Sequence, residues 1–173
     1  MHRLLLLRHA KAAAPAPGQV DHARNLNPRG QAASRAMGAY MAQNDLKPDL
    51  VLCSDARRTR ETWDGISAAN GWQEIEIRYL KALYLAESSR ISQIIGREAG
   101  SAGTLLLIGH NPGIEELAAG LADRSDREAR RELAGGMATA TLVAFNLPDG
   151  FGELRPGTCA VDRVVHPRAL MQE

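Results

Sequence analysis

The chain has 173 residues, 45% hydrophobic and 24% charged, the size and balance of one globular domain with a proper buried core. With 21 Lys and Arg against 20 Asp and Glu, the net charge is +1, and two Trp, three Tyr and two Phe leave little surface for base stacking. Those numbers exclude a nonspecific nucleic-acid binder.

The first predicted element is a strand at "RLLLL" (3–7), which runs directly into Arg8 and His9. Four leucines are too few for a secretory segment, and no apolar run approaches a membrane span, so the expectation is a soluble, cytoplasmic protein with no membrane partner. "AAAPAPG" (12–18) reads as a surface loop. Asn27 then offers a cap and Pro28 a first helical position, opening a helix over 28–44. "DLVLC" (49–53) is a second strand, followed by a helix over 57–70 with Trp63 packed inward and Gly71 as its stop. "EIEIRY" (74–79) alternates in polarity, which predicts a strand near a sheet edge, and a helix follows over 88–99. "TLLLIG" (104–109) is a fourth strand, and Asn111-Pro112 repeats the cap-and-proline start for a helix over 112–122. "RSDREARRE" (124–132) is a solvated helix or loop, and "TATLVAF" (139–145) and "CAVDRVV" (159–165) close the series as strands.

The 3–7, 49–53 and 104–109 strands are apolar throughout rather than alternately, as strands covered on both faces must be. Alternation of strand and helix along the chain predicts an α/β fold. It is a single three-layer domain over 1–173, with a mostly parallel central sheet and helices on both faces. Cys53 and Cys159 lack any paired or zinc-type spacing and read as buried thiols in a reducing compartment.

The same three strands each deliver a cation or an imidazole at the carboxyl end, where ligands of open α/β sheets bind. The first ends in Arg8-His9. The second ends in "SDARRTRETW", with Arg57, Arg58 and Arg60, and the fourth in "GHNPG", with His110 and Asn111. One such end is unremarkable for a strand reaching the surface. Three in the same topological position point to a shared site for an anion, most naturally a phosphoryl group. A helix start beside it would add backbone donors. No Walker-type loop, carboxylate cluster or metal-ligand spacing is present, so the expectation is a site without metal or cofactor, in which histidine serves as the nucleophile.

"LLLLRHAKA", "CSDARRTRETW" and "LLLIGHNPGIEEL", in that order, resemble the histidine phosphatase superfamily and its phosphoglycerate mutase-like fold, most closely its SixA-type phosphohistidine phosphatases. "RNLNPRG" (24–30) and "GGMATATLVAF" (135–145) are similar to further segments of that group. The resemblance implies that His9 is the nucleophile and that Arg8 and Arg58 bind the phosphoryl oxygens. It implies too that His110 donates to them, with Asn111 at the helix cap beside it. Arg58 is chosen over its neighbours because Arg58 and Thr62 match the family's spacing, which leaves Arg57 and Arg60 to the surface or the substrate.

Ester-cleaving members also use a carboxylic acid, for which Asp21, Asp55 and Glu87 are the candidates. No clear match among them favours cleavage of a P–N bond, whose imidazole leaving group needs less help. About one helix lies between "EIEIRY" and "TLLLIG", so the cap is minimal and the site open, which suits a phosphohistidine-bearing protein. The competing readings are a phosphomonoesterase acting on small phosphorylated substrates and a non-catalytic adaptor that binds phosphorylated partners. His2, His22 and His166 are read as surface residues.

Overall fold

The computed structural model describes residues 1–171. Six strands form one sheet: β1 (His2–Arg8), β2 (Leu50–Ser54), β3 (Glu76–Leu80), β4 (Thr104–Gly109), β5 (Leu142–Leu147) and β6 (Ala160–Val165). Their spatial order is β3-β2-β4-β1-β5-β6. β1 and β2 both run parallel to β4, and β3 runs parallel to β2, whereas β5 is antiparallel to β1 and to β6. The alternating strand 76–80 does lie at an edge.

Leu4, Leu5, Leu6 and Leu7 are wholly buried because β1 lies in the middle of the sheet with both faces covered. Successive side chains point to opposite faces. Leu4 and Leu6 therefore join one core with α3 (Ser88–Glu98) and α4 (Gly113–Leu121), while Leu5 and Leu7 join another with α1 (Pro28–Gln43) and α2 (Arg57–Asn70). Each such leucine contributes about 1.5–3 kcal/mol relative to exposure. Cys53 belongs to one core and Cys159 to the other, so the sheet separates them and both are free thiols.

Asn27 caps α1 by accepting from the Gly30 N–H at 2.8 Å, and Gly71 ends α2 in the left-handed region at φ 66°. The charged stretch after α4 is a helix, α5 (Arg127–Ala134). Asp126 caps it and Ala129 and Leu133 are its buried side. A short α6 (Pro167–Leu170), which no periodicity announces, follows β6. β5 starts at Leu142 instead of 139, because Ala138–Thr141 form a turn and the Ala140 N–H bonds back to the carbonyls of Arg8 and His9, 3.0 Å from each. No helix of the described residues is long and apolar enough to cross a membrane.

Candidate active site

Strand register brings the carboxyl ends together. Arg8 lies opposite Gly109 on β4, and Cys53 of β2 lies opposite Ile108. Because β5 runs the other way, the Gly135–Thr141 segment before it arrives at the same end of the sheet.

Past Arg8 the chain is held on every side. The His9 N–H donates to the Gly109 carbonyl at 3.1 Å, and the Ala10 N–H donates to the Thr62 hydroxyl at 3.0 Å. Thr62 in turn donates to the Arg58 carbonyl at 2.7 Å, tying the first strand end to α2. In a continuing strand Arg8 and His9 would face opposite ways, but the turn at Ala10 lets both line one cleft of about 260 Å³. Arg58 and His110 line it too, and so does Asn111.

His9 Nδ1 stands 2.7 Å from the Ala10 carbonyl oxygen. Only an N–H can bond a carbonyl, so the neutral ring carries its proton on Nδ1 and leaves Nε2 with a lone pair. Burial, aided by the charges of Arg58, Arg8 and Arg24, lowers the His9 pKa to about 4 against the pull of the Ala10 bond. Burial likewise lowers that of His110 to about 3, with His9 and Arg58 adding to the effect. Both rings, 5.3 Å apart between centroids, are therefore neutral at pH 7. The Ser54 hydroxyl lies 2.7 Å from His110 Nε2, and when it donates there the ring's proton sits on Nδ1, an atom with no protein partner. Arg8 Nε is also buried without a partner, while its Nη1 donates to the Met137 carbonyl at 2.9 Å. Buried donors without protein partners beside a ring nitrogen that carries a lone pair are suited to an anion.

Asn111 does not cap α4. Its amide donates to Glu115 Oε2 at 2.9 Å and to the Met137 carbonyl at 3.0 Å, and Pro112 occupies the cap position instead. Glu115 also accepts the Met137 N–H at 2.7 Å. This carboxylate fastens α4 to the segment whose Met137 carbonyl holds Arg8. At the start of α4 a Cβ on Gly113 would overlap the Ala86 carbonyl oxygen, so glycine is what lets the 84–87 loop close over the helix.

Of the three candidate carboxylates, Asp21 alone reaches the cleft, through Arg58. Its Oδ2 accepts from Arg58 Nη2 at 3.0 Å, its carbonyl accepts from Arg58 Nη1 at 2.9 Å, and its Oδ1 accepts from Arg24 at 3.1 Å. The Tyr84 hydroxyl donates to Oδ2 as well. That bond, followed by the two guanidinium contacts, holds the Asp21 carboxyl far below the usual carboxylate range. Asp55 is taken up by His22 at 2.8 Å, and Glu87 lies exposed at the start of α3. His22, expected on the surface, is half-buried and meets the Tyr84 ring edge-on at 4.8 Å; Tyr84 meets His110 in the same way at 5.4 Å. Arg57 is exposed and paired with Glu61, and Arg60 covers the Tyr79 ring at 4.0 Å. Ser54, Tyr84 and Glu115 were unforeseen because isolated polar residues at element ends carry no periodic signal.

A sequence model of the histidine phosphatase superfamily (branch 1) matches residues 4–84. The chain is 31% identical over 157 residues to the uncharacterized protein Rv1276c of Mycobacterium tuberculosis, covering 90% of this chain and 96% of that one. Its fold matches that of a candidate phosphohistidine phosphatase SixA from Agrobacterium tumefaciens with a TM-score of 0.80 and 29% identity, over 96% of this chain and 98% of that one. A second SixA candidate, from Nakamurella multipartitia, matches with a TM-score of 0.82 at 29% identity, over 96% of each chain. The ordered motifs, the sheet they end on and these likenesses agree: the chain belongs to the histidine phosphatase superfamily and is SixA-like.

Proposed function

We propose that this protein is a metal-independent phosphatase that forms a covalent phosphohistidine intermediate on His9 and acts on phosphohistidine in a protein. The observation that carries the reading is the Ala10 carbonyl on His9 Nδ1, which leaves a neutral ring with a free Nε2 among Arg8, Arg58 and His110.

In the first step Nε2 attacks phosphorus in line, the Nε2–P bond forms, and the bond to the substrate's imidazole nitrogen breaks. Arg8, Arg58 and the Nδ1–H of His110 take up charge on the transferring oxygens, the largest contribution a rigid site makes to such a transfer. The phosphorylated ring keeps its Nδ1 proton on the Ala10 carbonyl and is cationic, which keeps it a good leaving group when water attacks. The released imidazole nitrogen takes its proton from solvent. Asp21, held ionised by Tyr84, Arg24 and Arg58, is poorly suited to protonate an alkoxide, and this favours P–N over P–O substrates. A cytoplasmic phosphoprotein is the partner this reading calls for, and the short cap between β3 and β4 leaves room for one.

The test compares kcat/KM on a phosphohistidine peptide with that on phosphoserine and aryl phosphate, each with His9→Ala as control. Preference for the P–N bond by orders of magnitude, abolished in the variant, is the expected outcome. Faster ester cleavage would convert the reading to a phosphomonoesterase. No turnover with phosphate binding intact would leave the adaptor.

A further inference from the structure

Beside the catalytic cleft lies a larger groove of about 560 Å³, and the two share Lys11 and Thr139 in their walls. A single ligand can therefore occupy both. The groove runs between the Gly135–Thr139 segment, the start of α1 and α6, and its basic lining is Lys11, Arg29, Arg168 and His166, with no carboxylate among the described residues. Two acids near it are already engaged: Glu132 faces His166 at 3.4 Å, and Glu115 is held by Asn111 and the Met137 N–H. Lys11, Arg29 and Arg168 are exposed, and none is ion-paired among the described residues. On the other side of the cleft the cations are matched, with Arg24 and Arg58 on Asp21 and Arg57 on Glu61.

We propose that this groove is the docking site for an acidic segment of the phosphorylated protein, with carboxylates flanking the side chain that enters the cleft; the proposal rests on the phosphatase reading above. Three cations on long, exposed stems suit several carboxylates on a moving chain. A compact polyphosphate is held instead by buried, convergent donors, and a nucleotide base needs a stacking surface, whereas the groove is lined by no Phe, Tyr or Trp among the described residues. Charge complementarity at such a rim sets partner choice and encounter rate, and salt weakens it.

The experiment uses two phosphohistidine peptides that differ only in Asp and Glu against Asn and Gln at the flanking positions. It compares wild type with Arg29→Ala/Arg168→Ala, two exposed positions outside the cleft. Wild type is expected to favour the acidic peptide by about tenfold in kcat/KM, through KM and less so at high salt. The double variant is expected to treat the two peptides alike while turning over small phosphoramidate as wild type does. A preference that survives in the variant, or an equal loss on phosphoramidate, overturns the docking site. Binding of a fluorescein-labelled acidic peptide without phosphate, followed by anisotropy, reads the groove even if the phosphatase reading fails; it should weaken in the double variant, and unchanged binding overturns the proposal. A nucleoside diphosphate that binds more tightly than the peptide, and loses that binding in the same variant, would overturn peptide docking and assign the groove to polyphosphates.

Discussion

The cleft has two halves of different construction. Arg8, His9, Ser54 and His110 sit at strand ends, with Arg58 in the first turn of the helix that follows β2. Asp21 and His22 come from a short 3-10 turn and Tyr84 and Leu85 from the loop before α3; Tyr84 packs on His22 and donates to Asp21. Apart from half-buried Arg8 the first half is buried, and it carries unpaired donors; the second is partly exposed, and its Asp21 pairs with Arg24 and with Arg58 of the first half. Rigid strand ends can hold a nucleophile and its charge clamp to a fraction of an ångström, whereas loops contribute contacts that adjust to a substrate. Substitutions should therefore cost most in the strand-end half.

The sharpest way to break the comparison is Arg8→Ala. In the proposed mechanism the unpaired Nε–H of Arg8, steered by the Met137 carbonyl, meets the transferring phosphoryl, so its loss should lower kcat by about 10²–10³ with a small change in KM. Single-turnover kinetics beside a thermal-unfolding control would separate this from misfolding. A loss below about fivefold would remove Arg8 from the clamp.

Protonation gives the next largest effect. At pH 5.5 an ordinary histidine is about nine-tenths protonated, but His9 and His110, lowered to about 4 and about 3, stay neutral. After allowance for ionisation of the substrate, kcat/KM at pH 5.5 should lie within about twofold of that at pH 7, where an ordinary histidine would have lost about tenfold. Stability follows the same linkage. Between about 4 and 6.5 the unfolded chain binds protons on these rings that the folded chain does not, so stability is full above 6.5 and falls as pH drops toward 4. Urea midpoints measured from pH 7 to pH 4.5 should fall less steeply in His9→Ala, which lacks one of the two sites.

Ser54→Ala tests whether the Ser54 hydroxyl, by donating to Nε2, selects the His110 tautomer. Without it the proton is free to occupy Nε2, and a loss of about tenfold in kcat is expected with KM nearly unchanged. Nitrogen-15 shifts of the His110 ring, which a merely structural serine would not move, read the tautomer directly.

The same division explains what could be read from the chain. Continuous apolar runs disclosed the three central strands, and their ends pointed to Arg8, His9 and His110, whereas Arg58 was told from Arg57 and Arg60 only by its resemblance to the family's spacing. The fold was legible from the alternation of strand and helix, and the family from the order of the three motifs. Asn111 misled because an Asn before Pro looks the same whether its amide caps a helix or reaches sideways, and the choice was made by Glu115 and Met137, distant partners. Tyr84 joins Asp21 and His22 joins Asp55 through contacts 63 and 33 residues apart in sequence, which no local pattern encodes.

Tyr84→Phe asks how far the loop half is separate from the chemistry. The substitution removes the hydroxyl that donates to Asp21 and keeps the ring that packs edge-on against His110 and His22. Asp21 retains Arg58 and Arg24, so the Arg58 guanidinium should stay in place. Its carboxyl, though, loses the strongest influence holding it ionised and should titrate at a higher pH. The expected cost on a phosphohistidine peptide is about two- to fivefold, carried by KM, since a half-exposed hydrogen bond with two remaining partners is worth little. On an aryl phosphate the same variant should hold or gain rate at acid pH, because an Asp21 that can be protonated there is a better acid. A fall in kcat as deep as that of Arg8→Ala would instead place the Tyr84–Asp21 pair among the reacting groups, and the division between strand ends and loops would no longer mark where the chemistry is done.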